Sequence, residues 1–194
     1  MSIPDLLGFA AGIGFLSGLR LYALVFVLGI LIRFGMLSLT DQFQHLLILG
    51  SLPVLIASAT MALAEFVSDK LPWFDSIWDS IHTFIRPIGA AILAWTAISE
   101  IDPALKIILV LITGGVALTS HAAKAATRAA VNHSPEPASN IFLSVVEDMF
   151  LPLGLWLTIH FPLVVLFLVI AFLLAFFWVI RKVIRFLQRR LKLA

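Results

Sequence analysis

Two basic side chains, those of Arg20 and Lys124, stand inside long apolar stretches of the sequence. A charged side chain near the centre of a bilayer costs at least about 2.5–3.5 kcal/mol on insertion scales. It is retained where it pairs with an opposite charge or faces water, and such positions mark functional sites in membrane proteins. We therefore expect Arg20 and Lys124 to belong to a charged intramembrane site.

The composition predicts an all-α polytopic membrane protein. The chain has 194 residues, of which 61% are apolar and only 12% are charged, whereas soluble domains carry about 25% charged residues. Six stretches approach the length of about 20 apolar residues that a membrane-spanning helix needs. They lie at about 5–33, 46–64, 83–99, 104–130, 138–159 and 162–180. We predict one bundle over residues 1–180 and a basic tail over 181–194.

The tail predicts the orientation of the chain. Positive residues directly after a span favour the cytoplasmic side, and the last predicted span is followed by Arg181, Lys182, Arg185, Arg189, Arg190 and Lys192. We therefore expect a cytoplasmic tail in a plasma membrane, which in a bacterium is the inner membrane. An even number of spans predicts that the N-terminus is cytoplasmic as well.

Residues 1–100 and 101–180 follow a similar order of residue types. In each half, glycines and a hydroxyl precede a base, and acids follow on the next predicted helix. These residues are Gly12, Gly14, Ser17, Arg20, Glu65 and Asp69 in the first half, and Gly114, Gly115, Ser120, Lys124, Glu147 and Asp148 in the second. With three spans per half, this order predicts two inverted three-helix repeats. Chance similarity between apolar helices is the alternative.

An inverted repeat brings the base of one half close to the acids of the other, near the middle of the membrane. We expect Arg20 to meet Glu147 or Asp148. We also expect Lys124, with His121, to meet Glu65 or Asp69. The predicted substrate path comprises Arg20, Glu65, Asp69, His121, Lys124, Glu147 and Asp148.

A second group of ionisable residues shares one face of a predicted helix. Asp75, Asp79, His82 and Arg86 are spaced by four, three and four residues, which is helical spacing. An interfacial helix whose charged stripe faces water is one interpretation. A polar lining for a solute path is another. The third is a metal site formed by Asp75, Asp79 and His82, since carboxylate and imidazole ligands suit Mg²⁺, Mn²⁺ or Zn²⁺.

A third group, His121, Lys124 and Arg128, also shares one face and stands among alanines. Small residues allow neighbouring helices to approach closely. One interpretation is a packing helix whose basic side chains extend to the cytoplasmic surface. The other is a pocket for an anion or phosphate at the inner leaflet.

The sequence offers little support for catalysis or for nucleic-acid binding. It has no cysteine, which excludes disulfides, thiolate metal sites and thiol nucleophiles. The serines lack the context of a nucleophile elbow. Because the basic tail directly follows a membrane helix, it gives no indication of nucleic-acid binding. We expect no cofactor, and the sequence favours a protein without enzymatic activity while leaving catalysis open as the alternative.

Three segments resemble a bacterial integral-membrane family known as domain of unknown function 4126. They read GxGFLSGLRLY, LAEFVSDKLPWFDSIWDSIHTFIRP and TSHAAKAATRAAVNHSPEPASN. The resemblance covers roughly residues 5–155 and implies a small multi-pass membrane protein. It implies no reaction and no substrate.

The residues favour transport or conduction of a small solute or ion along a charged path. Six short helices form a thin wall around such a path, so we expect a homodimer or a larger homo-oligomer in the bilayer. The alternative is a membrane-embedded enzyme or binding protein for a lipid phosphate headgroup. Its anion would bind to Lys124, Arg128 and Arg86. A scaffold whose charges only stabilise packing is the third interpretation.

Overall fold

The computed structural model describes residues 1–37, 39, 41–98, 101–132 and 137–191. All regular elements in these ranges are helical, as the composition predicts. They are α1 (Ile3–Arg33), a 3₁₀ helix (Asp41–Gly50), α2 (Leu52–Ser68), α3 (Pro72–Ala97), α4 (Pro103–Asn132), α5 (Pro137–His160) and α6 (Pro162–Leu191). Proline begins the last four α-helices, at the position where its missing N–H costs least.

Helix α1 is broken at Arg20, whose backbone is not helical (φ −148°, ψ 72°). The two arms, residues 3–19 and 21–33, fold back on each other. Phe9 and Leu28 line one cavity together with Met1, although a continuous helix would hold Phe9 and Leu28 about 28 Å apart. The Phe9 ring also lies 4.8 Å from that of Phe43. Helix α1 is therefore a helical hairpin with Arg20 at its tip.

The hairpin forms the centre of the bundle. Leu6, Ile13 and Leu16 of the first arm share one buried cluster with Leu24 and Leu28 of the second. The first arm contacts α4, α5 and α6, and the second arm contacts α2, α3 and the 3₁₀ helix. The tip is thereby surrounded by the helices that carry the acidic and basic residues.

Glycine allows the first arm to approach α4 closely. A Cβ at Gly18 would stand 2.3 Å from the carbonyl oxygen of Ala117, and one at Gly14 would stand 2.5 Å from that of Thr113. Further along, Lys124 donates to the carbonyl of Leu19. Residue numbers rise together on both helices, so the first arm and α4 run parallel.

This direction corrects the predicted repeat. An inverted repeat requires corresponding helices to run in opposite directions. The helices that carry Arg20 and Lys124 instead run side by side in the same direction. The similarity between the halves therefore does not correspond to an inverted repeat. Residues 99 and 100, at the predicted boundary of the halves, lie outside the described residues.

Four described helical segments are long and apolar enough to cross a membrane: Ile3–Arg33, Pro103–Val131, Ile141–His160 and Pro162–Phe186. A fifth crossing results if Phe43–Gly50 and Leu52–Ser68, bent by 73°, form one span. Length and apolarity thus support a polytopic membrane protein without confirming six spans. Residues 83–97 of the predicted third span, 83–99, belong to α3, whose first turns carry Asp75 and Asp79; residue 99 lies outside the described residues.

The termini lie at opposite ends of the bundle. Met1 lies beside Phe43 and Ile159, and we call this the N-terminal end. Helix α6 begins near it, where Pro162 contacts Gly8, and then runs away for 30 residues. We call the other end, which carries Arg20, Asp69, Lys124 and Glu147, the charged end.

The expectation that both termini share one side of the membrane is therefore wrong for a bundle that crosses it. The expectation fails because of the break at Arg20, where the chain reverses direction once more than it would with an uninterrupted α1. The described part of the tail, as far as Leu191, continues α6 beyond the charged end. Residues 192–194 lie outside the described residues.

Candidate functional site

The structure gathers all seven residues of the predicted path at the charged end. Five of them are almost fully buried: Arg20, Glu65, Asp69, His121 and Lys124. The side chains of Glu147 and Asp148 remain 15% and 34% exposed. The hairpin tip, the end of α2, the last third of α4 and the first half of α5 supply them.

Arg20 connects three acids from two distant parts of the chain, the end of α2 and α5. Its guanidinium forms ion pairs with Asp69 directly after α2 and with Asp148 on α5, where Nη2 lies 3.0 Å from Oδ1. Glu147 Oε2 lies 3.6 Å from Nε. Nη2 also donates to the hydroxyl of Ser144, at 2.9 Å. The expected contact between Arg20 and the acids of the second half is thus present, and Asp69 adds a partner that the sequence analysis did not assign to it.

Asp69 and Glu147 each accept from the same two bases of α4. Lys124 Nζ lies 3.2 Å from Asp69 Oδ2 and 3.1 Å from Glu147 Oε2. Arg128 Nη2 lies 3.3 Å and 3.0 Å from the same two atoms. The Lys124–Asp69 contact joins the two halves as expected. Removing one member of a buried ion pair costs about 3–5 kcal/mol, because the partner is left buried and uncompensated.

A second set of contacts surrounds Arg86 of α3. Its Nη2 lies 2.7 Å from Glu65 Oε1. Its Nη1 donates to the carbonyl of Gly18 at 2.8 Å and to Nδ1 of His121 at 2.9 Å. Since His121 Nδ1 accepts, the proton of a neutral ring is on Nε2, which donates to the carbonyl of Asp79 at 3.0 Å. His121 therefore packs against Arg86 as a neutral acceptor.

The stripe on α3 faces the interior rather than water. Asp75, Asp79, His82 and Arg86 are at most 5% exposed, which excludes the interpretation of a water-facing charged stripe. The opposite face of α3 is apolar and exposed, with Phe84, Ile88 and Ile92 among its residues. A helix that turns its charges inward and its apolar side chains outward is typical of a membrane protein.

The structure does not assemble Asp75, Asp79 and His82 as a metal site. Within the described ranges, no three His, Asp or Glu side chains are arranged to hold a metal ion. Both ring nitrogens of His82 are engaged, because Nδ1 donates to the carbonyl of Trp78 at 2.7 Å and Nε2 accepts from the hydroxyl of Tyr22 at 3.0 Å. Imidazole ligation would break one of these bonds.

A polar cavity of about 240 Å³ lies between α3 and α4 at the charged end. Its wall consists of two carboxylates, three hydroxyls, one guanidinium and two alanine methyls: Asp75, Asp79, Ser76, Ser80, Thr83, Arg128, Ala125 and Ala129. We call it the α3–α4 pocket. Arg128 belongs both to this pocket and to the ion network, so the two are continuous.

Several buried oxygens of the site accept no hydrogen bond within the described part of the chain. They are Glu65 Oε2, Asp69 Oδ1 and Asp79 Oδ1. Buried polar groups in proteins are nearly always satisfied by protein or by water. Asp79 is the one of the three that lines the α3–α4 pocket, and Arg86 Nη2, at 3.8 Å from Asp79 Oδ1, is beyond hydrogen-bonding distance.

The sequence analysis missed the central position of Arg86 and the burial of Arg128. One of the two interpretations of the α4 bases had Arg128 extend to the cytoplasmic surface, yet it is 1% exposed and binds two acids. Helical spacing alone placed these residues on the correct faces. Which face turned inward depended on the partners that α1, α2 and α5 supply.

The comparisons with known proteins identify a family but no function. No curated protein and no solved structure matches it. Residues 7–182 match the family model described as Domain of unknown function (DUF4126), which extends beyond the resembling segments as far as the apolar part of α6. With this match over most of its length, the chain belongs to the DUF4126 family.

Proposed function

We propose that the protein is a membrane transporter for a small polar solute, with the α3–α4 pocket as its solute site. The observation that carries the proposal is the break of α1 at Arg20, buried at the centre of an ion network. Discontinuous helices whose ends meet charged groups mark the substrate and ion sites of many transporters. An uninterrupted helix would suffice for a protein that only needs an anchor.

The ion network acts as the closed gate in this proposal. Arg20 joins the hairpin tip to the end of α2 and to α5, while Lys124 and Arg128 join α4 to the same acids. Moving the tip therefore requires these ion pairs to exchange partners. Ion pairs that exchange partners give a packed interface two discrete arrangements, which is what alternating access needs.

The lipid-headgroup alternative has less support. It requires Lys124, Arg128 and Arg86 to receive a phosphate, yet all three bases already bind carboxylates of the protein. A phosphate would have to displace Glu65, Asp69 or Glu147 and leave that acid buried without its partner. Such a loss costs several kcal/mol.

We place the charged end at the cytoplasmic side of the plasma membrane. Arg181, Lys182, Arg185 and Arg189 follow the apolar part of α6 at this end, and bases next to a span favour the cytoplasm. The N-terminal end then faces outward. We retain the homodimer as part of the proposal, because the bundle presents broad apolar faces on α3 and α6.

The experiment that tests the proposal is solute uptake by liposomes containing the purified protein. A transporter raises the permeability of the liposomes for at least one class of polar solute. A scaffold leaves it equal to that of protein-free liposomes.

A further inference from the structure

Glu65 on α2 and Asp79 on α3 share one base, Arg86. Arg86 Nη2 lies 2.7 Å from Glu65 Oε1 and 3.8 Å from Asp79 Oδ1. In the part of the chain that the structure describes, no other base forms an ion pair with either carboxylate. Asp69, in comparison, pairs with three bases. The single charge of Arg86 can therefore compensate only one of its two acids at a time.

Both of these carboxyl groups are buried. Glu65 is 0% exposed and Asp79 is 5% exposed. Each has one oxygen, Glu65 Oε2 and Asp79 Oδ1, that accepts no hydrogen bond from the described residues. Two buried carboxylates beside one base ionise together only at a large cost, and they then titrate as a pair. A proton on one of the two removes the uncompensated charge and leaves one ion pair with Arg86.

Charged and titratable groups face Arg86 and its two acids from each helix packed around them. They are Arg20 and Tyr22 on α1, Asp69 after α2, Asp75 and His82 on α3, and His121, Lys124 and Arg128 on α4. The three bases in this set all pair with Asp69, so their charge is already engaged. Both histidines are neutral acceptors on one ring nitrogen. Asp75 adds a further buried acid beside Asp79.

From these observations we infer that Glu65 and Asp79 form a proton site in which the two carboxyl groups share one proton. Arg86 donates to Glu65 in this structure, so Glu65 is ionised and the proton is on Asp79. When the guanidinium moves to Asp79, that carboxyl group releases its proton and Glu65 binds one at Oε2. Each state contains one proton and one ion pair, so neither leaves a buried charge uncompensated.

The proton site lies between the gate and the solute site of the proposed function. Arg86 donates to the carbonyl of Gly18, close to the break at Arg20, and Asp79 belongs to the wall of the α3–α4 pocket. A movement of Arg86 between its two acids therefore acts on the hairpin tip and on the pocket together. The inference rests on the proposed function in this respect, because it makes the proton the coupling ion of the transporter.

The test of the proton site is infrared spectroscopy of the purified full-length protein, which requires no solute. The measurement is made at about pH 5.5, where exposed Asp and Glu side chains, with pKa values of about 3.9 and 4.3, are ionised. The C=O stretch of a protonated carboxyl group is separate from the bands of carboxylates. We expect the wild type to show such a band, and difference spectra against the variants assign it to the site.

Two single substitutions test whether the proton is shared. Asp79→Asn leaves Glu65 paired with Arg86, and Glu65→Gln allows Arg86 to pair with Asp79. Each variant has one acid for one base, so each should lose the band completely. Asp102→Asn is the matched control, because Asp102 is exposed in the loop before α4, and it should keep the band.

A wild type without a protonated-carboxyl band would overturn the inference, whether or not the variants fold. A band that survives either Asp79→Asn or Glu65→Gln would also overturn it, because the proton would then not be shared by these two acids. Loss of the band in both variants and its retention in Asp102→Asn would support the inference.

Uptake by liposomes tests the coupling separately. An imposed pH gradient should change the rate of solute uptake by the wild type, and this dependence should be lost in Glu65→Gln. A shared proton without any flux supports the proton site and removes transport. Flux without the band overturns the proton site and leaves transport standing. Flux that does not respond to the pH gradient overturns the coupling.

Discussion

The guanidinium of Arg20 pairs with the carboxylate of Asp69 and so ties the break in the first helix to the end of the second. Both side chains are almost fully buried. Asp69 also accepts from Lys124 and Arg128, so its single carboxylate joins three bases. It is the acid on which most of the network depends.

Asp69→Asn should therefore destabilise the protein strongly, by about 3–5 kcal/mol, because it leaves buried bases uncompensated. The measurement is the unfolding free energy of the purified protein in detergent. Asp5→Asn is the control, since Asp5 caps the exposed start of α1 and lies far from the network. A loss no larger than that of the control would contradict the assigned role of Asp69.

A double-mutant cycle tests the contact between Arg20 and Asp148. The two charges lie 3.0 Å apart, so Arg20→Met and Asp148→Asn should couple by about 0.5–3 kcal/mol. The comparison cycle combines Arg20→Met with Asp102→Asn. Asp102 lies in the loop before α4 and caps that helix by accepting a hydrogen bond from the backbone N–H of Ala104. Strict additivity for Arg20 and Asp148 would show that their contact contributes nothing to stability.

Gly18 and Gly115 should respond in opposite ways to alanine. A Cβ at Gly18 meets the carbonyl oxygen of Ala117 at 2.3 Å, whereas one at Gly115 meets nothing within 4 Å. Gly18→Ala should cost about 1–3 kcal/mol by overpacking. Gly115→Ala should stabilise α4 by about 0.5–1 kcal/mol through its helix propensity. The measurement is the melting temperature of each variant, which should fall for Gly18→Ala and rise for Gly115→Ala relative to the wild type. Equal melting temperatures for the two variants would argue against the close contact between α1 and α4.

Arg86→Lys should lower stability even though the charge is kept. The guanidinium serves Glu65, Gly18 and His121 at the same time, and an ammonium cannot reproduce this fork. The loss of one hydrogen bond to a charged group costs about 1.5–3 kcal/mol. Arg33→Lys is the matched control, because Arg33 is exposed and donates to Gly50. If the two substitutions cost the same, the fork of Arg86 has no structural role.

Cysteine labelling tests the position of the ends, because the chain has no cysteine of its own. Met36→Cys stands exposed near the N-terminal end, and Arg185→Cys lies on the part of α6 beyond the charged end. An impermeant thiol reagent added to intact cells should label the first and spare the second. Labelling of both residues from outside, or of neither, would refute the placement of the two ends of the bundle on opposite sides of the membrane.

Pattern and composition were enough to predict an all-helical membrane protein and several of the ionisable residues that meet at the charged end. Apolar length and proline positions are local properties, so they placed most helix boundaries well. That Arg20 and Lys124 need acidic partners followed from the cost of a lone buried charge, and this argument holds whichever way the helices run. The choice of Glu147 or Asp148 for Arg20, and of Glu65 or Asp69 for Lys124, came from the inverted repeat. The contacts are present although the repeat is not.

Pattern and composition could not predict the direction in which each helix runs. Nothing in the residues around Arg20 forbids a continuous helix, and the reversal depends on Asp69, Asp148 and Ser144, which hold the guanidinium from distant parts of the chain. One missed reversal was enough to misplace the N-terminus and to suggest an inverted repeat. The inward orientation of Arg86 likewise depends on Glu65 and Gly18, which the spacing along α3 does not reveal.

The most direct test of the central claim is solute uptake by liposomes that contain the purified protein, measured in parallel for guanidinium, phosphate and glycine as a cation, an anion and a zwitterion. Ala125 lines the α3–α4 pocket, whereas Ala122 on the same helix is exposed and outside it. The account predicts saturable uptake of at least one of these solutes by the wild type and by Ala122→Leu, and its loss in Ala125→Leu, whose pocket is filled. Liposomes with wild-type protein that take up all three solutes no faster than protein-free liposomes would contradict transport.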